Sequence, residues 1–390
     1  MIAFKLSIRN LLGAGLRTWL NVIVLSITFI LIILLHGFIE GWNREAMTDM
    51  KEWEIGGGQY WHTEYDPHDS FTLEDSHRDI PKSVLSGTQK GTYCPVLISQ
   101  ATIYPQGRMR NILMKGIDPD QQILALPTSS LKGDYNEIPV IIGTAMATAT
   151  KFEKGDITTI RWRDVNGTFD ATEIVITDIF KTNVPTVDAA QVWMPLSTMQ
   201  EITGMPNEAT LIVVKEEMTD PDPIPGWEFK DTEFLLSAIT DTIKTKTIGT
   251  SFIYVVFLAL GLLAVFDTQV LSIFRRQKEI GTYIALGMTR KQVVGIFTVE
   301  GAMHSILAVL LGAAWGIPLL FWMSNTGFAI PVSVDEFGLA MAERIYPAYG
   351  LGLIIMTLLL IVISTTIVSY LPSRRISKMN PTEAIRGKAQ

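Results

Sequence analysis

The sequence predicts an α-helical membrane protein with four transmembrane helices, arranged one plus three, and a mixed α/β extracytoplasmic domain inserted between helices 1 and 2. Composition is the first observation behind this fold class: the 390 residues are 48% hydrophobic and 18% charged, with a mean hydropathy of +0.27. Hydropathy along the chain is the second. Four stretches have the length of roughly 20 mostly apolar residues that crosses a bilayer, namely 20–39, 248–274, 293–323 and 349–371.

The four apolar stretches are interpreted as membrane spans and not as core helices of a soluble protein, because four such runs in one chain are hard to bury otherwise. The first stretch continues directly into Glu40-Gly41-Trp42, without a small-residue cleavage site. We therefore interpret it as a retained anchor and not as a cleaved signal peptide.

The distribution of charge predicts the orientation. Segments 1–19, 275–292 and 372–390 each carry more Lys and Arg than Asp and Glu. Because short basic segments stay in the cytoplasm, both termini and the 275–292 loop are expected inside. The 42–245 domain and the short 324–346 loop are then outside. The formal net charge of −7, without a clustered basic face, gives no indication of a nucleic-acid partner.

Local patterns predict elements within these segments. Residues 1–19 have the basic and apolar positions of an amphipathic elbow helix at the cytoplasmic interface. In the large domain, β-forming runs flank Asn166-Gly167, which is a strong hairpin signal. Helices are predicted over 144–152 and 196–202, and strands over 139–142, 191–194 and 210–214.

The 275–292 loop is predicted to contain a short helix over 276–286 that Gly287 ends. Thr289 and Gln292 have the spacing of a capping box, which would start the third span. This loop is therefore expected to be a compact turn between two long helices.

The sequence gives no indication of catalysis. Neither a nucleophile motif nor a G-x-x-x-x-G-K-[ST] phosphate loop occurs in the 390 residues. We therefore predict no catalytic residue and no cofactor bound by this chain. His62, His68 and His77 lie among acidic residues without the spacing of a metal motif, so a solvated loop is preferred to a metal site. Cys94, the only cysteine, cannot form an intrachain disulfide and is expected to be a buried thiol.

Three ionisable residues fall inside predicted spans, where burial without a partner is costly. Asp267, Glu300 and His304 could form a proton or ion relay, but solvation or pairing near the inner interface is the favoured interpretation. Gly312 and Gly316 lie four residues apart on one helix face and would allow close packing, either within the chain or between subunits.

The segment Glu279-Ile280-Gly281 followed by Ala285-Leu286-Gly287 resembles the E-I-G-x-x-x-A-L-G segment of the FtsX/MacB/lipoprotein-releasing (LolC/LolE-like) permease superfamily. The tail from Pro372 to Arg386 resembles the P-x-R-R-x-x-x-x-x-P-x-E-A-L-R ending of the same family, with Ile385 in place of leucine. Segments 115–119, 142–143 and 154–156 are similar to extracytoplasmic segments of the family.

The resemblance implies a permease of an ABC transporter in the bacterial inner (cytoplasmic) membrane. It implies a separate ATPase dimer that holds ATP and magnesium, and a second permease subunit that is either a copy of this chain or a different one. ATPase coupling would involve Arg276, Glu279, Ile280, Gly281, Ala285, Leu286 and Gly287. The C-terminal cytoplasmic motif would comprise Arg374, Arg375, Pro381, Glu383 and Arg386.

The cargo expected from the resemblance is lipoprotein, passed to a periplasmic carrier by mechanotransmission across the membrane. Gly116-Ile117-Asp118-Pro119 is more similar to the lipoprotein-releasing type than to the macrolide exporters. Alternatives in the same class are a peptide or small-molecule exporter of the macrolide type, or an FtsX-like regulator of a periplasmic partner. A membrane-anchored ectoenzyme and a transmembrane receptor are less favoured, because a catalytic constellation and a cytoplasmic output domain are both missing from the sequence.

Overall fold

The computed structural model describes residues 16–218, 222–329 and 344–378. The chain divides into two compact units. The helical unit contains the described residues up to Asn43, from Ile243 to Ala329, and from Arg344 onward. The inserted unit contains the described residues from Arg44 to Thr242.

The helices in chain order are α1 (Leu16–Met50), α2 (Lys82–Thr88), α3 (Thr144–Thr150), α4 (Pro185–Ala189), α5 (Leu196–Thr203), α6 (Thr232–Leu235), α7 (Ser237–Arg275), α8 (Gln277–Ala285), α9 (Arg290–Thr326) and α10 (Leu351–Ser373). The strands are β1 (Gln59–His62), β2 (Arg78–Asp79), β3 (Tyr93–Ile103), β4 (Arg110–Ile117), β5 (Ile138–Gly143), β6 (Ile157–Arg163), β7 (Phe169–Phe180), β8 (Gln191–Pro195), β9 (Glu208–Ala209), β10 (Leu211–Val214), β11 (Trp227–Lys230), β12 (Phe328–Ala329) and β13 (Arg344–Ile345).

Among the residues that the structure describes, four helices are long and apolar enough to cross a membrane, namely α1, α7, α9 and α10. The first three contain the predicted apolar stretches and are longer, whereas α10 begins at Leu351, two residues after the start of the fourth stretch. The 35 residues of α1 correspond to about 52 Å, against about 30 Å of bilayer hydrocarbon. Apolarity marks only the part of a helix that suits lipid, and residues 42–50 continue α1 because they contain neither Gly nor Pro.

Helix α1 is the most buried of the four, and polar side chains join it to two others within the helical unit. Asn21 Nδ2 donates to Thr268 Oγ1 of α7 at 2.6 Å. Trp315 Nε1 of α9 donates to Ser26 Oγ at 2.7 Å. In an apolar bundle such hydrogen bonds fix which helix faces meet.

Two glycines bring the segment before α10 against α1. A Cβ atom at Gly37 would overlap the ring of Tyr349, and one at Gly41 would overlap the carbonyl oxygen of Tyr346. The Ala348 amide donates to the Gly37 carbonyl at 2.8 Å. Gly37 and Gly41 therefore form a second pair of glycines four residues apart, which the sequence analysis did not identify.

The inserted unit is built on a nine-stranded sheet in the order β11-β1-β10-β3-β4-β8-β5-β7-β6. Strand β3 also pairs with β6, so the six strands from β3 to β6 close into a ring. Within the ring β4 runs parallel to β8, and β5 runs parallel to β7. The mixed α/β character expected of this unit is confirmed.

Side chains at alternate positions of a strand point to opposite faces of the sheet, and each face has its own hydrophobic core. The core inside the ring includes Leu97, Ile103, Met114, Val140, Ile142, Ile160, Trp162, Met194 and, from α3 and α5, Met146 and Met199. The core on the other face includes Val96, Ile98, Ile117, Ile141, Phe180, Trp193 and Val213. Cys94 belongs to this second core and is fully buried, as expected.

The local predictions for the inserted unit are confirmed. Strands β6 and β7 form an antiparallel hairpin around Gly167, whose φ of +80° suits a turn glycine. The predicted helices are α3 and α5, and the predicted strands correspond to β5, β8 and β10. Residues 1–15 of the expected elbow, 330–343 of the expected outer loop and 379–390 of the tail lie outside the described residues.

Candidate coupling site

The candidate site lies where α7, α8 and α9 meet. Helix α7 ends at Arg275, and α8 begins directly after Arg276, whose φ of −101° and ψ of 20° interrupt the helix. Gly287, with a φ of +99°, makes the turn after α8. Thr289 and Gln292 then form the predicted capping box at the start of α9.

Arg276 holds this junction together by binding two carboxylates. Its Nε and Nη2 atoms donate to the two oxygens of Glu279 at 2.6 and 2.7 Å. Its Nη1 atom donates to both oxygens of Glu300 on α9, at 2.7 and 2.9 Å. The guanidinium also lies 4.7 Å from the ring centre of Phe297. Planar, forked pairing of this kind fixes geometry as well as charge.

The network shifts the pKa values of Arg276, Glu279 and Tyr283. Hydrogen bonding to Glu279 raises the pKa of Arg276, so this cation persists at every physiological pH. The hydrogen bond from Arg276 lowers the pKa of Glu279. Tyr283 donates to Glu279 Oε1 at 2.7 Å, and this bond raises the pKa of Tyr283. All three groups therefore keep their usual charge states at neutral pH.

An apolar cluster lies beneath the network. Ile280 is fully buried against Ile273, Val293, Phe297 and Ile376. The side chain of Ile280, one of the residues expected to take part in ATPase coupling, is therefore enclosed by its own chain, and its role in coupling stays a prediction. Gly281 is also buried, and Arg276 and Glu279 are occupied with each other.

The exposed part of the junction is the end of α8. Leu286 is 79% exposed, and Ala285 and Gly287 beside it are also exposed. An apolar side chain so exposed at a tight turn is available to a partner protein. The predicted coupling residues thus form two groups. Ala285, Leu286 and Gly287 form an exposed tip, and the others are engaged within the chain, namely Arg276, Glu279, Ile280 and Gly281.

Comparison with known proteins identifies the matching family. Residues 251–381, which include the whole junction, match the model of the family described as FtsX-like permease, C-terminal. The chain is also similar to the macrolide export ATP-binding/permease protein MacB of Agrobacterium fabrum, with 27% identity over 236 residues, which is 56% of this chain and 34% of that protein. MacB of Escherichia coli is 27% identical over 205 residues, or 49% of this chain and 30% of that protein.

The FtsX-like permease domain and the similarity to MacB proteins together support an ABC transporter permease of the FtsX/MacB superfamily. The matches cover about a third of the length of the curated relatives, whose names describe ATP-binding as well as permease proteins. Four apolar helices and the matched permease domain together indicate a multi-pass membrane protein.

The three ionisable residues predicted inside spans are not brought together as a relay. Glu300 has a side chain only 10% exposed and is paired with Arg276. His304 is buried one turn further along α9, with Nδ1 3.1 Å from the Glu300 carbonyl oxygen. Asp267 is exposed on α7, without an ion pair to another described residue. Of the two interpretations, a relay on one side and solvation or pairing on the other, pairing describes Glu300.

Gly312 and Gly316 of the permease face α1 of the same chain. A Cβ atom at Gly312 would lie 3.0 Å from the Phe29 ring, and one at Gly316 would overlap the side chain of Ile30. Both glycines therefore allow close packing within the helical unit.

The C-terminal motif is described only in part. Arg374 and Arg375 are exposed in a 3₁₀ turn that follows α10, whereas Pro381, Glu383 and Arg386 lie outside the described residues. Ile376 in the same turn is fully buried in the cluster beneath α8. The start of the tail is therefore packed against the coupling site.

Sequence reasoning missed three residues of this site: Tyr283, Phe297 and Ile376. Tyr283 follows Glu279 by one helical turn, so the i, i+4 spacing could have indicated its hydrogen bond. The pairing of Arg276 with Glu300 spans 24 residues and depends on how α9 folds back. Such a contact has no local signal.

The three histidines of the inserted unit do not form a metal centre. His62 is buried beside Trp227, and His77 Nδ1 pairs with Glu208. Within residues 16–218, 222–329 and 344–378, no three His, Cys, Asp or Glu side chains are placed to share a metal ion.

Proposed function

We propose that this permease converts ATP hydrolysis by a separate ATPase into movement of its inserted unit. The observation that carries the proposal is the braced junction, in which Arg276 ties Glu279 of α8 to Glu300 of α9 while Leu286 remains exposed. A force applied to the tip is then delivered to the long helices α7 and α9 and not absorbed by a flexible loop.

The proposed orientation places the junction in the cytoplasm of a bacterial cell and the inserted unit outside the inner membrane. The basic segments beside the apolar helices support this orientation. ATP and magnesium would be held by the ATPase dimer, which the family implies. The permease would work with a second permease subunit, identical or different.

Docking is proposed to involve the tip formed by Ala285, Leu286 and Gly287. Leu286 would insert into an apolar pocket of the ATPase as the central contact. Arg276, Glu279, Ile280 and Gly281 would position this tip without touching the partner, since they are engaged within the chain. Arg374 and Arg375 would lie beside it.

Lipoprotein is the proposed cargo, released toward a periplasmic carrier. The resemblance of residues 116–119 to the lipoprotein-releasing type supports this choice, but the fold also explains two of these residues. Gly116 faces Met199 closely, and Ile117 is fully buried. Packing in the sheet would require such residues whatever the cargo.

A second candidate is export of macrolides or similar small molecules, because the matched relatives are named as macrolide exporters. An FtsX-like regulator of a periplasmic partner is a third option in the same superfamily. The three options share the junction and differ in what the inserted unit contacts.

Purification of the tagged permease from its native membranes in mild detergent, followed by mass spectrometry, tests the proposal. An ABC ATPase is expected to co-purify. Its absence, under conditions that preserve a known transporter of this type, would overturn the proposal.

Depletion of the permease in its own host separates the cargo options. Retention of lipoproteins in the inner membrane would support lipoprotein release. Increased macrolide susceptibility with normal lipoprotein sorting would instead favour the exporter.

A further inference from the structure

Lys115 of the inserted unit is enclosed by protein and lies beside the turn that follows helix α1. Lys115 is 6% exposed in the second half of β4, with Nζ 4.9 Å from the ring centre of Trp193. Burial lowers the pKa of its ammonium group, and the nearby carboxylate of Glu54 opposes this shift. A lysine is seldom enclosed in this way without a specific partner.

Glu54 is that partner, and it comes from the chain that continues α1. Helix α1 ends at Met50 and passes into a single π-helical turn, Lys51–Ile55. Oε1 of Glu54 lies 3.6 Å from Lys115 Nζ, and Oε2 accepts a hydrogen bond from Thr186 at 2.7 Å. Isolated π turns are frequent at functional sites.

Other contacts fix the same turn to the sheet. Asn183 donates to Asp49 at 3.0 Å, and the Ala125 amide donates to the Glu52 carbonyl at 2.8 Å. The rings of Trp53 and Phe180 stack at 5.6 Å. Asn183 and Ala125 lie outside the strands and Phe180 is the last residue of β7, whereas Lys115 ties Glu54 to β4, a central strand of the sheet.

The chain after the turn is equally constrained. Gly56, Gly57 and Gly58 resemble a flexible linker in the sequence, but a Cβ atom at Gly57 would lie 2.5 Å from the Lys215 carbonyl oxygen. Gly56 and Gly58 are buried. The glycines thus allow close packing. The segment that joins α1 to the sheet is held in place here and is not a flexible linker.

We propose that the Glu54–Lys115 pair is the rigid joint through which α1 moves the sheet of the inserted unit. This inference rests on the proposed mechanical function and names residues that transmit it. A buried ion pair adds little net stability compared with apolar residues of similar volume, but in several proteins buried polar groups specify a single geometry. That property suits a joint better than a general stabilising contact.

Spin labels test the joint within the full-length permease, reconstituted with its co-purifying ATPase in nanodiscs. Cys94 is buried, and burial raises the pKa of its thiol, so it will not compete for label. Labels at the exposed positions Thr48 and Glu173 report how firmly the end of α1 is held to the sheet. The wild-type distance distribution is expected to be narrow.

Lys115→Met, which keeps the volume of the side chain, is expected to broaden this distribution. Glu54→Gln should do the same and is the milder change, because the Glu54 side chain is 22% exposed. Lys154→Met is the matched control, since it removes an exposed ion pair with Asp178 in the same unit. It should leave the distribution unchanged.

The double variant Lys115→Met/Glu54→Gln separates a joint from a merely stabilising contact. With no unpaired charge left, its melting temperature should return toward wild type while its distance distribution stays broad. A narrow distribution in the double variant, or in both single variants, would overturn the joint.

A second label pair, at Asn325 and Glu173, monitors movement of the inserted unit when ATP is added. Movement in the wild type with a reduced response in Lys115→Met is the expected result. Failure of the wild type to respond would contradict the proposed function. An unreduced response in Lys115→Met would contradict the joint alone.

Discussion

Arg276 shows how one side chain can decide whether a junction is rigid. It is a cation shared between a partly exposed carboxylate and a nearly buried one, and it covers an aromatic ring. A lysine could not reproduce this arrangement, because it lacks the planar fork that meets two carboxylates at once.

Replacing Arg276 with glutamine is expected to leave the Glu300 carboxylate enclosed and unpaired. We expect a loss of about 2–3 kcal/mol in the free energy of unfolding, below the value for a fully buried pair because Arg276 keeps some exposure. Denaturant unfolding in detergent measures it.

Adding Glu300→Gln to Arg276→Gln should recover most of that loss, because the uncompensated charge is then gone. Lys154→Gln, which breaks an exposed ion pair, serves as the control and should change stability little. Equal losses in the single and double variants would argue against the pairing.

At the scale of elements, helix α8 separates a packed face from an exposed tip. Its packed face continues the core formed by the ends of α7 and α9 and the turn after α10. Its tip contributes nothing to that core. Changes at the two places should therefore have different consequences.

Leu286→Asp is expected to reduce the amount of co-purified ATPase about tenfold or more, the effect of losing a central interface residue. Since Leu286 is 79% exposed, the melting temperature of the permease should not change. Val165→Asp, at an exposed apolar position in the inserted unit, is the control. Undiminished ATPase recovery with Leu286→Asp would exclude the tip as the docking contact.

Gly41 and Gly295 offer a matched test of helix packing. A methyl group at Gly41 would overlap the backbone of Tyr346, whereas one at Gly295 would meet no atom within 4 Å. Gly41→Ala should lower the melting temperature. Gly295→Ala should keep or raise it, since alanine stabilises a helix interior by roughly 0.5–1 kcal/mol over glycine. Equal effects would contradict the packing of α1 against this segment.

The elements also show where prediction from sequence succeeds. The β6–β7 hairpin and the capping box of α9 are local, and a few neighbouring residues specify each of them. The pairing of β3 with β6 joins residues about 60 positions apart, and it depends on closing the whole ring. The close packing of Gly56 to Gly58 has no local signal for the same reason, because the atoms that crowd these glycines come from residues distant in the sequence.

Prediction of the candidate site succeeded for its local motif and failed for the burial of its side chains. The motif from Glu279 to Gly287 marked the correct helix, but spacing alone could not show which side chains face inward. Ile280 was therefore grouped with the exposed Leu286 in one coupling set, although its side chain belongs to the core. Burial is a property of the assembled helices and not of the motif.

For the whole molecule, the proposed orientation makes a direct prediction. Cysteine at exposed Glu173 should react with a membrane-impermeant maleimide in intact spheroplasts, and cysteine at exposed Lys278 only after permeabilisation. The unmodified chain, whose Cys94 is buried, is the control and should remain unlabelled. The reverse pattern would invert the topology.

The closed ring of strands has a consequence for aggregation. Each of its six strands is hydrogen-bonded on both sides, so none can recruit a strand from another molecule. The nine-stranded order ends at β11, a four-residue strand that carries Glu228 and Lys230. Short, charged strands are poor templates for pairing. We therefore expect the inserted units to resist sheet-to-sheet association even when many copies crowd one membrane.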